Sequence, residues 1–421
     1  MDSASPSIPP PPPPPPLELN NLRALRVLGR GAMGTVFLVH DVVSEPSAKS
    51  LFALKVVDKA VINSKLDGDR RARWEIRVLR RISGDPIHHH HPNPFLPRLI
   101  GTIETHEFLA WATPYCPGGD LNVLRRRQID GVFSSAVIRF YLAEIICALE
   151  HIHSMGIVYR DLKPENILVQ MSGHVILTDF DLSRCLRKKT HIKPESTNPI
   201  PNPNRNPSPT RGHRRSLTRW LSLIPSDGKL SGLKKAKSAR VSPVGRRVPS
   251  LAAGERSNSF VGTEEYVSPE VVRGEGHEFA VDWWALGVLA YEMMYGMTPF
   301  KGKNRKETFR NVLHKQPEFV GDRTELIDLI GKLLAKEPTK RLGYYGGASE
   351  IKQHVFFNGV KWDLLMAGSR PPFIPSRDDG DAVNGGGIEI TEYFKKLKLP
   401  PSAPSSPASE GYRTKISFEE Y

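Results

Sequence analysis

The sequence predicts an α+β chain, strand-rich in its first half and helix-rich in its second, set among non-globular stretches. Three observations carry this. Short runs of alternating apolar residues lie near the start, longer runs with apolar residues at helical spacing follow, and prolines and basic charge concentrate outside both. At 421 residues the chain has room for two to three cores, or fewer cores plus tails. Its 39% hydrophobic and 25% charged residues are ordinary for a soluble protein.

Taken in order, residues 1–21 form a head whose unbroken Pro9 to Pro16 run has no backbone donors and favours extended polyproline II. It reads as a disordered spacer, with an SH3-like or profilin-like ligand as the alternative. From Leu22 the pattern becomes strand-like. Leu25 to Leu28, Val36 to Val39 and Phe52 to Val57 read as three antiparallel strands. Arg70 to Ile82 carries Trp74, Val78, Leu79 and Ile82 at helical spacing, and Ala136 to Met155 repeats apolar positions over several turns. Residues 186–256 lack periodicity and read as a largely disordered insertion. Order resumes at Asn258, and Ala280 to Met294 is apolar enough for a buried central helix. From about Pro371 to Tyr421 the composition predicts an extended tail.

The formal net charge of +14 belongs to one place. Residues 186–256 hold 17 Lys and Arg against three acids, an excess equal to that of the whole chain, so the remainder is formally neutral. That excludes a folded face built for sequence-specific nucleic acid. Three cysteines, Cys116, Cys147 and Cys185, form no paired spacing and point to a reducing compartment. No stretch approaches the roughly 20 apolar residues of a membrane span, and no basic-then-apolar leader opens the sequence.

The chemistry lies in an ordered set of motifs. Leu28-Gly29-Arg30-Gly31-Ala32-Met33-Gly34-Thr35-Val36 contains G-x-G-x-x-G-x-V. A dinucleotide fold has a helix directly after such glycines, whereas strand pattern flanks them here, so they read as a flap bringing backbone N–H groups over phosphates. Lys55, on the next strand, can pair with those phosphates if a helix carboxylate steadies it, and Glu75 is the candidate. Tyr159-Arg160-Asp161-Leu162-Lys163-Pro164-Glu165-Asn166 is the most specific local signal. Asp161 is placed to accept a substrate hydroxyl proton, Lys163 to neutralise a transferring phosphoryl group, and Asn166 to hold Mg2+. Asp179, after the apolar Val175-Ile176-Leu177, supplies the second oxygen for that cation. Asp282 and Arg341 read as structural, with Arg341 paired to Glu270.

Together these residues resemble the eukaryotic protein kinases over about Leu22 to Pro375, the insertion apart. Tyr159 in place of His, Ser259-Phe260-Val261-Gly262-Thr263 and Pro371-Pro372-Phe373-Ile374-Pro375 resemble the AGC group. Asp179-Phe180-Asp181 in place of Asp-Phe-Gly, with the long basic insertion after it, is similar to the plant AGCVIII kinases, closest to the UNICORN type. The resemblance implies a bilobal kinase fold over 22–357, with a small β-rich lobe at about 22–113, a larger helical lobe at about 117–357, and a C-terminal extension over 358–421. It implies ATP and Mg2+ as cofactors and adenine held by backbone around Pro114, Tyr115 and Cys116, with Thr113 as gatekeeper. Protein substrates would present basic residues to Asp120, Glu165 and Glu292, and the reaction would serve growth or developmental signalling.

Ser259 would be the activating phosphosite, its phosphate pairing with Arg160. Phe418 and Tyr421 resemble the aromatic motif that docks on the kinase's own small lobe or on an upstream phosphoinositide-dependent kinase. A monomer in cytoplasm and nucleus is expected, with the basic clusters of the insertion serving nuclear import or peripheral contact with acidic lipids. Asp181 also admits a rival reading, a pseudokinase scaffold.

Overall fold

The structure is a computed structural model that describes residues 17–31, 33–43, 51–65, 67–84, 93–186, 264–276, 278–365, 370–375 and 387–398. Most of the proline-rich head, Ala32, the insertion beyond Leu186, the segment holding Ser259, and the pair Phe418 and Tyr421 lie outside these residues.

Alternation of buried and open positions builds the first lobe. Strands β1 (Leu22–Arg30), β2 (Thr35–Asp41), β3 (Phe52–Asp58), β4 (Gly101–Glu104) and β5 (Phe108–Pro114) pair antiparallel. After β3 come α1 (Lys59–Asn63), whose N-cap Asp58 accepts from the Ala60 N–H at 2.9 Å, and α2 (Gly68–Ile82). Helix α2 buries Ala72, Ile76, Leu79 and Ile82 along one stripe.

The second lobe follows from longer apolar periodicities. Its elements are α3 (Leu121–Arg126), α4 (Ser135–Ser154), the short strands β6 (Ile157–Val158), β7 (Ile167–Val169), β8 (Val175–Leu177) and β9 (Arg184–Cys185), and helices α5 (Pro269–Val272), α6 (Ala280–Tyr295), α7 (Arg305–His314), α8 (Glu325–Leu333) and α9 (Gly347–Lys352). Helix α6 is apolar on all sides, so it can only be a core helix, and nearly all of it is buried. It stops at Gly296, in the left-handed region at φ 76°. Beneath it Arg341 and Glu270 form a buried bidentate pair at 2.6 and 2.9 Å, as the sequence suggests.

The expected extended tail is corrected in one stretch. Residues 387–398 form β10 (Ile388–Glu389) and α10 (Ile390–Lys398). β10 joins the free edge of β1, giving a six-stranded sheet of order β10-β1-β2-β3-β5-β4. Ile390 and Phe394 then close a second core over Phe37, Leu54, Val56 and Phe108, on the sheet face away from α2. Ile390, Tyr393, Phe394 and Leu397 recur at helical spacing, and burial of Ile390 and Phe394 holds this short amphipathic helix on the sheet although a glycine-rich stretch precedes it. Among the described residues no helix is long and apolar enough to cross a membrane.

Candidate active site

The cleft between the lobes is a cavity of about 1060 Å³, large enough for a nucleotide, walled by residues of the β1–β2 turn, β3, β5 and the loops around β7 and β8. The turn is closed by the Gly31 N–H donating to the Gly34 carbonyl at 2.9 Å. A side chain at Gly34 would meet the Val56 carbonyl oxygen at 2.4 Å, so close backbone packing demands glycine there. Around Gly29 and Gly31 the space is open, which suits a backbone that must approach a ligand. Leu28, Arg30, Met33 and Val36 also face or flank the cavity, while Thr35 pairs with Val56 behind it.

On β3, Lys55 stands in register with Val36 and Trp111, its ammonium 5.2 Å from the Trp111 ring centre. It donates to Glu75 Oε2 at 2.8 Å and to Asp179 Oδ1 at 3.0 Å. Burial opposes the Lys55 charge, but the Asp179 and Glu75 carboxylates outweigh it and hold the ammonium well above the usual lysine range. Burial likewise works against the Asp179 charge, and Lys55 overrides it, keeping that carboxyl below its usual value. Asp179 sits at φ 57°, a left-handed turn that aims its side chain back into the cleft.

The loop from Tyr159 is hung from α6. Asp282 Oδ2 and Oδ1 accept from the Tyr159 and Arg160 backbone N–H groups at 2.8 and 2.7 Å, and His153 Nε2 lies 2.7 Å from Oδ2. The Tyr159 hydroxyl donates to the Thr178 carbonyl, tying this loop to the one bearing Asp179. Asp161 Oδ2 accepts from Lys163 Nζ at 2.9 Å and Asn166 Nδ2 at 2.8 Å. Burial lifts the Asp161 carboxyl above its usual range despite Lys163, which strengthens it as a base. With the Asn166 amide nitrogen committed to Asp161, its carbonyl oxygen is the face left for a cation, beside Asp179. Two hard oxygens flanked by a lysine, in a cleft of nucleotide size, fit Mg2+ carried on phosphates, because that ion takes few protein ligands.

Pro114, Tyr115 and Cys116 line the cleft where β5 runs out, and the Tyr115 hydroxyl accepts from Arg26 of β1. Burial pushes the Cys116 thiol up to about 12, leaving it inert. The three carboxylates expected at the substrate groove gather around α3. Asp120 caps that helix by accepting from the Val123 N–H at 2.8 Å, Glu165 accepts from Asn122 at 3.0 Å, and Glu292 accepts from Arg125 at 3.2 Å and from the Tyr266 hydroxyl at 2.6 Å. Glu292 is thus already engaged by a cation and a phenol. Arg160 is buried, and its three guanidinium nitrogens have no hydrogen-bond partner among the described residues. Burial, with help from Arg184, pulls it down to about 10.

Sequence reasoning missed Arg71, Trp74, Arg125 and Tyr266. Only the first two left a signal, standing four and one positions before Glu75 on one helix.

A protein kinase domain model matches residues 22–199 and 248–357. Serine/threonine-protein kinase UCNL of Arabidopsis thaliana is 60% identical over 404 residues, covering 96% of this chain and 95% of the relative. Serine/threonine-protein kinase UCN of the same plant is 59% identical over 406 residues, covering 95% of each. With the cleft, the base and the lysine assembled as described, the chain belongs to the protein kinase family, as a serine/threonine enzyme of the plant AGC group.

Proposed function

We propose that this kinase uses ATP with Mg2+ in the Lys55–Asp179 cleft and phosphorylates Ser or Thr of proteins with basic residues upstream, in plant growth or developmental signalling. The observation that carries the reading is the Lys55, Glu75 and Asp179 cluster at 2.8 and 3.0 Å, facing Asp161 across the cavity. When bound, the nucleotide supplies the phosphoryl group and Mg2+ neutralises its charge. Lys55 positions the phosphates, Asn166 and Asp179 hold the cation, Asp161 takes the proton from the substrate hydroxyl, and Lys163 balances the charge left beside it. Mg-ATP-dependent autophosphorylation abolished by Lys55→Ala and by Asp161→Ala is the expected result. Phosphorylation that survives either change would return the chain to a scaffold role.

Basic specificity is supported by the acidic rim around α3. Since Glu292 is shared with Arg125, Asp120 and Glu165 carry most of the free charge. Asp120→Ala should lower kcat/KM on an Arg-containing peptide roughly tenfold more than on an Arg-free one. Equal losses would remove Asp120 from recognition.

Activation at Ser259 is supported by Arg160, a buried cation without a partner among the described residues. Its phosphate would carry nearly two negative charges to that site. Docking of Phe418 and Tyr421 on an upstream phosphoinositide-dependent kinase, and residence in cytoplasm and nucleus as a monomer, rest on the sequence alone. Capture of that kinase should be lost when the last four residues are removed. A fluorescent fusion lacking residues 186–256 should leave the nucleus or the cell periphery.

A further inference from the structure

Asp181 stands two residues after the carboxylate that holds the metal, where glycine would serve if the backbone required it. It does not. The described non-glycine residues with positive φ are Asp67, Arg160 and Asp179, so position 181 has an ordinary backbone and a side chain costs no strain there. That side chain is 5% exposed and is one of the polar groups lining the cleft. Burial, and then the like charge of Asp179, disfavour the ionised carboxylate there, so Asp181 keeps its charge only against a cation held beside it. Arg71 of α2 answers it, donating from Nη2 to Asp181 Oδ2.

The contact is one of three from a single face of α2. Arg71, Trp74 and Glu75 are spaced by three and four residues, so they project side by side. Arg71 grips Asp181, Trp74 Nε1 donates to Ser183 Oγ at 3.0 Å, and Glu75 holds Lys55 at 2.8 Å. Ser183 is fully buried and its hydroxyl donates in turn to the Phe180 carbonyl at 2.6 Å. The loop bearing Asp179 is thereby pinned to α2 on both sides of Asp181, and Lys55, bridging Glu75 and Asp179, closes the ring from the third side. If α2 swung outward, Lys55 would lose Glu75, and the two pins resist that movement.

We propose that Asp181 is a positioning residue. Through Arg71 it locks α2 to the metal-holding loop, so that the Lys55–Glu75 pair is assembled by charges internal to the folded chain, while a phosphate at Ser259 would act separately, through Arg160, on the catalytic loop. The aspartate that replaces glycine is then what organises the site.

The inference rests on the kinase reading, and turnover by the parent protein that disappears with Asp161→Ala keeps the two separable. The test uses the full chain carrying Ser259→Ala, so that changes at the pair are read without a phosphate at that serine. Asp181→Asn and Arg71→Gln should each lower kcat roughly ten- to hundredfold, and the double variant should fall no further than either alone. KM for the peptide substrate should stay unchanged. Arg71→Lys should keep most of the activity, and Arg71→Asp combined with Asp181→Arg should recover part of it. Thermal melting of each variant separates loss of fold from loss of position, and Arg71→Lys reports the pair even if Asp181→Asn fails to fold. Independent losses that multiply in the double variant, or single variants with parental kcat, would overturn the proposal. So would a defect in Asp181→Asn that excess Mg2+ repairs while Arg71→Gln stays defective, since Asp181 would then be a metal ligand.

Discussion

At the residue scale, buried charge decides most of what this molecule can do. Arg341 has no exposed side-chain surface, lies over the Trp284 ring at 5.2 Å, and holds Glu270 in two hydrogen bonds. Removing one partner strands the other, so Arg341→Ala should cost about 3–5 kcal/mol, read by denaturant unfolding. Arg341→Lys should recover only part, because an ammonium cannot fork onto both carboxylate oxygens. The Arg341–Glu270 partnership was legible in the sequence because both ends sit in recognisable motifs, as do Lys55 and Glu75. The Arg71–Asp181 contact was not. Its ends are 110 positions apart, and an arginine on a helix surface is normally solvated.

At the element scale, α2 is the part whose placement matters most. Beyond its cleft-facing residues it is tied to β4 by Arg73, which donates to both oxygens of Glu104, while Lys59 adds a contact at 2.8 Å. Hydrogen bonds from Arg73 and then Lys59 hold the exposed Glu104 carboxyl down to about 2 from 4.5. A depressed folded value means stability that is present above about pH 4.5 and lost as the pH falls toward 2. Solvent screening keeps the effect small. Across about pH 5 to pH 3 the melting temperature of Glu104→Gln should therefore fall less steeply than that of the parent, while the two curves run parallel above about pH 6. The helices read from apolar spacing, α4 and α6, have bounds within a residue or two of the reading, whereas α8, with Leu326, Ile327, Ile330 and Leu333 as regularly spaced, went unread. The start of α2 at Gly68 gave no signal because Asp67 enters it through a left-handed turn at φ 62° and makes no side-chain cap.

At the scale of the whole molecule, one hydrophobic core runs from the α2 face of the sheet through α4 and α6, and a second, on the opposite face of the sheet, is finished from the far end of the chain. Residues 370–375 pass along the second lobe, where Phe373 packs 6.0 Å from the Phe133 ring, and residues 387–398 then cover the sheet. Tyr393 meets Phe37 edge-on at 4.9 Å and lies under Arg30 of the glycine-rich turn at 5.6 Å. Ending the chain at residue 386 should uncover Phe37 and Phe108 and forfeit the burial of Ile390 and Phe394, at most about 1.5–3 kcal/mol each. A fall in melting temperature of about 5 °C or more is expected by calorimetry, together with a raised KM for ATP as the turn loses its support. A truncated protein that melts like the parent would make this cover dispensable. The strand was hidden because it contributes only two ladder residues, but Ile390, Tyr393, Phe394 and Leu397 stand at helical spacing, a signal masked by the glycine- and charge-rich stretch before it.

The seam between β1 and β10 also sets a timetable for synthesis. Arg23 leaves the ribosome among the first residues of the domain, and its partner Glu389 emerges roughly 370 residues later, about 20–70 s at roughly 5–20 residues per second. Throughout that interval the nascent sheet carries an open edge and an uncovered aromatic roof, the two features that recruit holding chaperones or invite a neighbouring chain on the same message to pair. Completion of the nucleotide-binding lobe therefore waits for residues 387–398, although nearly all of that lobe is made first.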